Sequence, residues 1–302
     1  MLWSNLFILP MKTKITIILV AIILLFIALA GLAFWRWQNQ SANSQDKIYS
    51  KLVTPEDRKP LAISPNAIKN NRTLTIPILM YHHVGDLPKG ADKIRSDLTV
   101  PTASFEAQVQ WLKNRGYQSV SLNDIYLASQ GKFTMPKKPV VFTFDDGYED
   151  VFQNAAPILK KYGYSGSFAV ITKNPGTAAG DNVYAPWPDI AAAYLAGNEI
   201  VSHTQTHFDG SNPKFSANYI YAQLNGSVAD INQHLGFTTN ILIYPYGHYT
   251  DTYIAQAKKA GFVMGVTVHK GKLLDLDNLM QIPRIRVHGA ETLDKFEKII
   301  TE

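Results

Sequence analysis

Short apolar, β-prone runs alternate along this chain with longer stretches in which apolar side chains return every three or four positions. The runs fall at residues 75–81, 118–120, 140–144, 167–171, 199–202, 241–244, 262–268 and 282–287. Helical periods separate them, at 104–115, from 121 onward, and at 148–162, 188–196, 217–235, 250–260 and 293–300. Ser104 can cap the first of these, Phe105, Val109 and Leu112 share one of its faces, and Gly116 ends it. Pro157 predicts a kink or break inside 148–162, because proline has no N–H to donate and its ring crowds the preceding turn. Roughly seven strands alternating with helices argue for a parallel α/β architecture. The periodicity leaves open whether the sheet is open or closed into a barrel.

The hydropathy pattern changes at the N-terminus. Residues 15–35 carry no charge and are rich in Ile, Leu, Ala and Phe, long enough to cross a bilayer. Lys12 and Lys14 precede this run, and Trp35, Arg36 and Trp37 follow it as an interfacial group. The expected organisation is a short cytoplasmic tail (1–14), a transmembrane signal-anchor (15–35), a polar linker (36–73) and a globular domain (74–302). The domain would then lie outside the cell, held to the membrane by a single pass. Ala28-Leu29-Ala30 resembles a cleavage site, which gives secretion as the alternative.

Composition narrows the chemistry. With 46% hydrophobic and 18% charged residues, the chain is globular in character, and its net charge of +5 is spread without a dense basic block. That argues against nucleic acid as a partner and weakly favours an anionic surface. There is no cysteine, so disulfides, thiol nucleophiles and thiolate metal sites are excluded. Any metal must be held by His, Asp or Glu. Oligomeric state is left open.

Two stretches carry the chemistry. Val140–Phe144 reads as a buried strand, followed at once by Asp145, Asp146 and Gly147. Acids at the mouth of a buried strand are costly unless they are paired, hydrogen-bonded or metal-bound. Further on, His203 and His207 stand four apart after a second β-prone run. Two histidines and one carboxylate make three protein ligands with open coordination positions, the pattern of a catalytic metal site. A divalent ion there would polarise a carbonyl and acidify a water, and the remaining carboxylate could act as general base. The spacing does not say which aspartate does which. Tyr244-Pro245-Tyr246-Gly247 follows the strand at 241–244 and could line the same mouth. His82 and His83 end the first strand on the same side. Trp187, between Pro186 and Pro188, is a candidate to cover the cleft, whereas His248 and His269 read as loop residues.

Thr143-Phe144-Asp145-Asp146-Gly147 and His203-Thr204-x-x-His207, in this order, resemble the first two motifs of the polysaccharide deacetylases with a NodB homology domain (carbohydrate esterase family four). The resemblance spans roughly residues 74–290. Pro77–His83 and Tyr244–Gly247 look most like the branch acting on poly-N-acetylglucosamine. It implies a distorted (β/α) barrel, a divalent metal that is usually zinc, and removal of N-acetyl groups from a glucosamine polymer. It further implies Asp145 as catalytic base, Asp146, His203 and His207 as metal ligands, and the Tyr246 backbone N–H as an oxyanion donor. His82, His83, Tyr244 and Trp187 are the candidate substrate contacts. Two departures stand out. The arginine that the third motif places two residues before its proline is here Ile243, so Asp145 must be oriented by something else. No Asp–Trp fourth motif is evident. The fifth motif, a strand ending in a histidine that serves as general acid, has its candidate in Arg284–His288, which nominates His288. Peptidoglycan, chitin oligomers and acetylated xylan are alternative substrates, and a non-catalytic carbohydrate-binding protein is the alternative of another class.

Overall fold

Seven parallel strands follow one another round a barrel in chain order: β1 (Ile78–Tyr81), β2 (Pro139–Phe144), β3 (Ser167–Val170), β4 (Glu199–Ser202), β5 (Ile241–Ile243), β6 (Met264–Lys270) and β7 (Ile282–Arg286). The circle closes because β7 pairs back onto β1, Ile285 against Leu79 and Arg286 against Met80, while β1 pairs with β2 along its whole length. The open-or-closed question left by the periodicity is thus answered by a closed barrel. The computed structural model describes residues 72–302; the anticipated tail, membrane segment and linker up to residue 71 lie outside them. Among the described residues no helix is long and apolar enough to cross a membrane.

The helices are α1 (Lys93–Leu98), α2 (Thr102–Asn114), α3 (Leu122–Ser129), α4 (Ala156–Lys161), α5 (Trp187–Leu195), α6 (Ala217–Leu235), α7 (Asp251–Lys259) and α8 (Leu293–Thr301). Pro157 does what its chemistry requires. Residues Val151–Ala155 form a π turn, in which the Ala156 N–H donates to the Val151 carbonyl, and α4 then begins with Pro157 in its first turn. Helical backbone runs unbroken through the π turn, whose inserted residue makes room for the proline where no N–H can donate.

Strand alternation decides what faces the bore. Ile78, Val141, Ala169, Val201, Ile241, Ile243, Met264, Val266 and Ile282 form one buried cluster. Their neighbours Leu79, Tyr81, Val140, Phe142, Phe144, Phe168, Val170, Ile200 and Ile285 pack in another, with residues of the surrounding helices. Adjacent strand residues point to opposite faces, so one register fixes both layers. It also fixes which residues beyond each strand's last apolar position can reach the mouth.

Candidate active site

Along β2 the inward series runs Val141, Thr143, Asp145. Asp146 should therefore point away from the mouth. It does not, because the chain leaves the strand there: Asp146 has φ 73° and Gly147 φ 80°. Left-handed backbone at a non-glycine residue is uncommon and costs free energy; here it turns the second carboxylate to the same side as the first. A β-carbon on Gly147 would meet the Val170 backbone at 3.4 Å in a conformation that L-residues rarely adopt. The β4 loop repeats the device. His203 follows the inward Val201, and the chain then turns through Thr204 (φ 64°) and His207 (φ 56°) to bring the second imidazole alongside the first, ring centres 4.8 Å apart.

Asp145 is 3% exposed and is gripped by Arg284 of β7, which is fully buried. Nη1 donates to Oδ1 at 2.7 Å and Nη2 to Oδ2 at 2.8 Å. The same guanidinium donates from Nη1 to Thr143 Oγ1 at 3.0 Å and from Nε to the Thr267 carbonyl at 2.8 Å. Burial pushes the Asp145 carboxyl up, but the charge and hydrogen bonds of Arg284 outweigh it and hold the group below the ordinary carboxylate range. Ile243, where the family pattern places an arginine, faces the bore as part of its apolar cluster. The orienting cation thus enters from β7, in the inward series Ile282, Arg284. A charged residue in an inward register was the available sequence signal, legible only once the barrel's register is known.

Asp146 has different company. Its Oδ1 lies 3.3 Å from His203 Nε2 and 3.3 Å from His207 Nε2, and the ligand atoms of all three residues lie within 4.8 Å of one another. The oxygen is buried yet accepts no hydrogen bond. His203 Nδ1 lies 2.7 Å from the Ile243 carbonyl and donates to it, which turns Nε2 toward Asp146; burial pushes this imidazole down, but Asp146 and Asp145 outweigh it and raise it above the ordinary histidine value. Burial pushes the Asp146 carboxyl up, but the two histidines and His82 outweigh it and lower it. Burial, then the charge of His203, lowers His207 to about 4, so its ring is neutral at neutral pH. An orphaned buried oxygen beside two imidazole nitrogens suits a divalent cation with an N2O donor set. These three residues could hold one.

The other expected residues divide. His82 continues the inward series of β1, and its Nε2 lies 3.9 Å from Asp145 Oδ2. His83 faces away: it is 2% exposed, lies 2.7 Å from Asp150 Oδ2 through Nδ1, and stacks on Tyr148 at 3.8 Å. Tyr244 is fully buried on the outer side of β5, its hydroxyl donating to the Met280 carbonyl at 3.1 Å, so it touches core and not ligand. Trp187 opens α5 with its ring stacked on His234 at 4.3 Å, a packing position between helices. Tyr246 has φ 59°, is 56% exposed, and sets its ring 4.5 Å from that of His207 at the rim. His288 is half-exposed and is bound through Nδ1 to Asp97 Oδ1 at 2.8 Å; Asp97 also pairs with Arg286 at 2.5 Å. The histidine set against Asp145 is therefore His82 of β1, and His288 sits at the mouth in the company of Asp97. The sequence nominates His288 as the general acid and His82 as a substrate contact, whereas the geometry sets His82 nearer Asp145.

A parallel barrel with a tethered acid beside an Asp/His/His cluster that could hold a metal, all at the carboxyl ends of its strands, is an arrangement suited to hydrolysis. The comparisons make the class specific. The family model for polysaccharide deacetylase matches residues 132–265. YxkH of Bacillus subtilis (strain 168), which carries a polysaccharide deacetylase name, is 31% identical over 230 residues, covering 73% of this chain and 74% of that protein. A poly-β-1,6-N-acetyl-D-glucosamine N-deacetylase of Staphylococcus aureus (strain MRSA252) is 27% identical over 299 residues, 96% of this chain and 97% of its own. Among solved structures, the Streptococcus pyogenes deacetylase PplD in complex with acetate superposes with a TM-score of 0.67 at 27% identity, covering 76% of this chain and 99% of PplD. The chain belongs to the polysaccharide deacetylase family, and as an enzyme it is a polysaccharide N-deacetylase. The span matched by the family model contains Asp145, Asp146, His203, His207 and Tyr246, and stops short of both His82 and Arg284.

Proposed function

We propose that this chain is a divalent-metal-dependent hydrolase that removes N-acetyl groups from N-acetylglucosamine residues of an extracellular polysaccharide, β-1,6-linked poly-N-acetylglucosamine being the polymer. The observation that carries the reading is the asymmetry of the two carboxylates: Asp145 saturated by Arg284, Asp146 buried with an unpartnered oxygen between two imidazoles. The polymer is favoured by the names of the staphylococcal relatives and by the stretches Pro77–His83 and Tyr244–Gly247. The extracellular placement rests on the apolar run at 15–35. Zinc suits the donor set.

Asp146, His203 and His207 would hold a divalent ion, which would supply Lewis-acid polarisation of a carbonyl and acidify a water there. Asp145, kept ionised and aimed by Arg284, takes the proton of the water that attacks the acetyl carbonyl. His82 Nε2, 3.9 Å from Asp145, relays a proton to the leaving amine. Burial holds His82 below the ordinary histidine range despite the pull of Asp145 and Asp146, so it releases a proton readily once it has one. The Tyr246 backbone N–H is the candidate donor to the developing oxyanion.

The missing arginine and the missing fourth motif motivate the binding-only reading, and the grip of Arg284 on Asp145 speaks against the first of these. The test is acetate release by the full chain from β-1,6-linked N-acetylglucosamine oligomers, chitin oligomers, peptidoglycan and acetylated xylan, before and after chelation and zinc restoration. Release from the first that is lost on chelation is the expected result. Preference for another polymer would reassign the substrate, and chelator-insensitive turnover would sink the metal role.

A further inference from the structure

The loop that carries both histidines is held in an improbable shape. Thr204, a fully buried β-branched residue, has φ 64°, and His207 has φ 56°. Such conformations persist only when their surroundings over-determine them. Part of the support is the turn after β3: Thr172 N–H donates to the Thr204 carbonyl and Lys173 N–H to the Gln205 carbonyl, both at 3.0 Å. The rest comes from one stripe of α6. Gln223 Oε1 accepts from Thr206 N–H at 3.1 Å and Thr206 Oγ1 at 2.9 Å. Ser227 donates its proton to the Leu224 carbonyl, so Ser202 Oγ donates to Ser227 Oγ at 2.7 Å while accepting from Thr204 N–H. Asp230 gathers Gln205 Nε2 at 2.9 Å, Thr172 Oγ1 at 2.6 Å and Lys173 Nζ at 3.0 Å.

Residues 223, 226, 227 and 230 share one helix face. The member without a side chain is as telling as the other three. Gly226 stands in the interior of a 19-residue helix, where glycine is unfavourable. A β-carbon there would lie 2.4 Å from Gln205 Cδ and Oε1 and 2.6 Å from Nε2. The gap lets the Gln205 amide lie flat on α6 and reach Asp230.

We infer that the α6 stripe Gln223–Gly226–Ser227–Asp230 is a positioning cradle that sets the affinity of the Asp146/His203/His207 site for its divalent ion. This rests on the metal reading above. It acts through the loop: with Gln205 displaced, Thr204 and His207 lose the contacts that keep them left-handed, and the two imidazoles no longer converge. None of the four residues ligates the ion.

The cradle is tested on the metal-stripped full chain by zinc competition against a chromophoric chelator, beside the absorption spectrum of the cobalt-loaded protein and thermal melts without metal. Gly226→Ala is expected to weaken zinc binding by about 10–100-fold, the usual effect of losing a group that orients a ligand, and to alter the cobalt spectrum. The metal-free melt should hold or rise, since alanine is the better helix former. Gln205→Ala should weaken binding similarly, and the double variant should be no worse than either single one. Asp230→Asn supplies an independent, isosteric route to the same loss. Parent-like zinc affinity in both Gly226→Ala and Gln205→Ala would overturn the cradle while leaving the metal site intact. So would a fall of affinity that only tracks a fall in the metal-free melt. A parent protein that binds no zinc or cobalt would overturn the cradle together with the metal reading, and the parent control tells that case from the others.

Discussion

Asp145 and Asp146 are one peptide bond apart and live in opposite surroundings. Around Asp145 the protein is complete: two guanidinium nitrogens of Arg284 meet its two oxygens, and Thr143 and Thr267 take up other Arg284 donors. Around Asp146 it is incomplete, since Oδ1 has two imidazole nitrogens 3.3 Å away and no donor. The β7 side of the mouth is finished by the fold, and the β4 side presents an Asp/His/His set that could hold a cation. Equal burial and equal chemistry thus give one residue suited to take a proton and one suited to hold a metal.

The comparison breaks most visibly in turnover. Asp145→Asn keeps shape and removes the base, so kcat should fall by about 10²–10⁴-fold while zinc affinity stays at the parent value; an equal loss of zinc would mean that the two aspartates are not divided in this way. Next comes Arg284→Met, which leaves a buried carboxylate without its countercharge and should lower stability by about 3–5 kcal/mol in denaturant melts. The pH dependence gives its sign. Because the native Asp145 carboxyl is depressed, the pair contributes stability above the ordinary carboxylate value of about 4 and loses it as pH falls toward the native value. Acid titration of the Arg284→Met melt should show that loss abolished. A smaller effect sharpens the other side: zinc at 100 times its Kd should stabilise the parent and Asp145→Asn alike by about 2.7 kcal/mol, and Asp146→Asn hardly at all. Smallest is Ile243→Val, a change inside the bore costing about 0.5–1.5 kcal/mol with turnover kept. A large catalytic loss there would show that position 243 still serves the base.

How far the sequence led can be judged at these same residues. The strand runs were legible because each carries a dense apolar signal, and Asp145, Asp146, His203 and His207 were legible because they follow such runs within a few positions. Closure of the sheet was not, since β1 and β7 meet across some two hundred residues without a local mark. Arg284 was missed for the same reason, being 139 residues from its partner. His83 and Tyr244 were placed at the cleft by proximity to a strand end, and Trp187 by its place between two prolines. Alternation sends His83 and Tyr244 to the outer layer, and helix packing claims Trp187. His82 shows the converse: a one-residue difference in register separates a histidine at the mouth from one beneath Tyr148.

The tether from β7 to β2 also sets an order in time. Asp145 follows the second strand of the barrel, and the arginine that neutralises it arrives 139 residues later in the last. Until that strand docks, the nascent domain holds an uncompensated acid at the end of its best apolar run. A chain cut short before Arg284 can build most of the wall and still has no countercharge to close it on. Competence of the base therefore waits on the docking of β7, and a copy truncated before Arg284 is expected to melt below the full domain and to leave Asp145 unoriented.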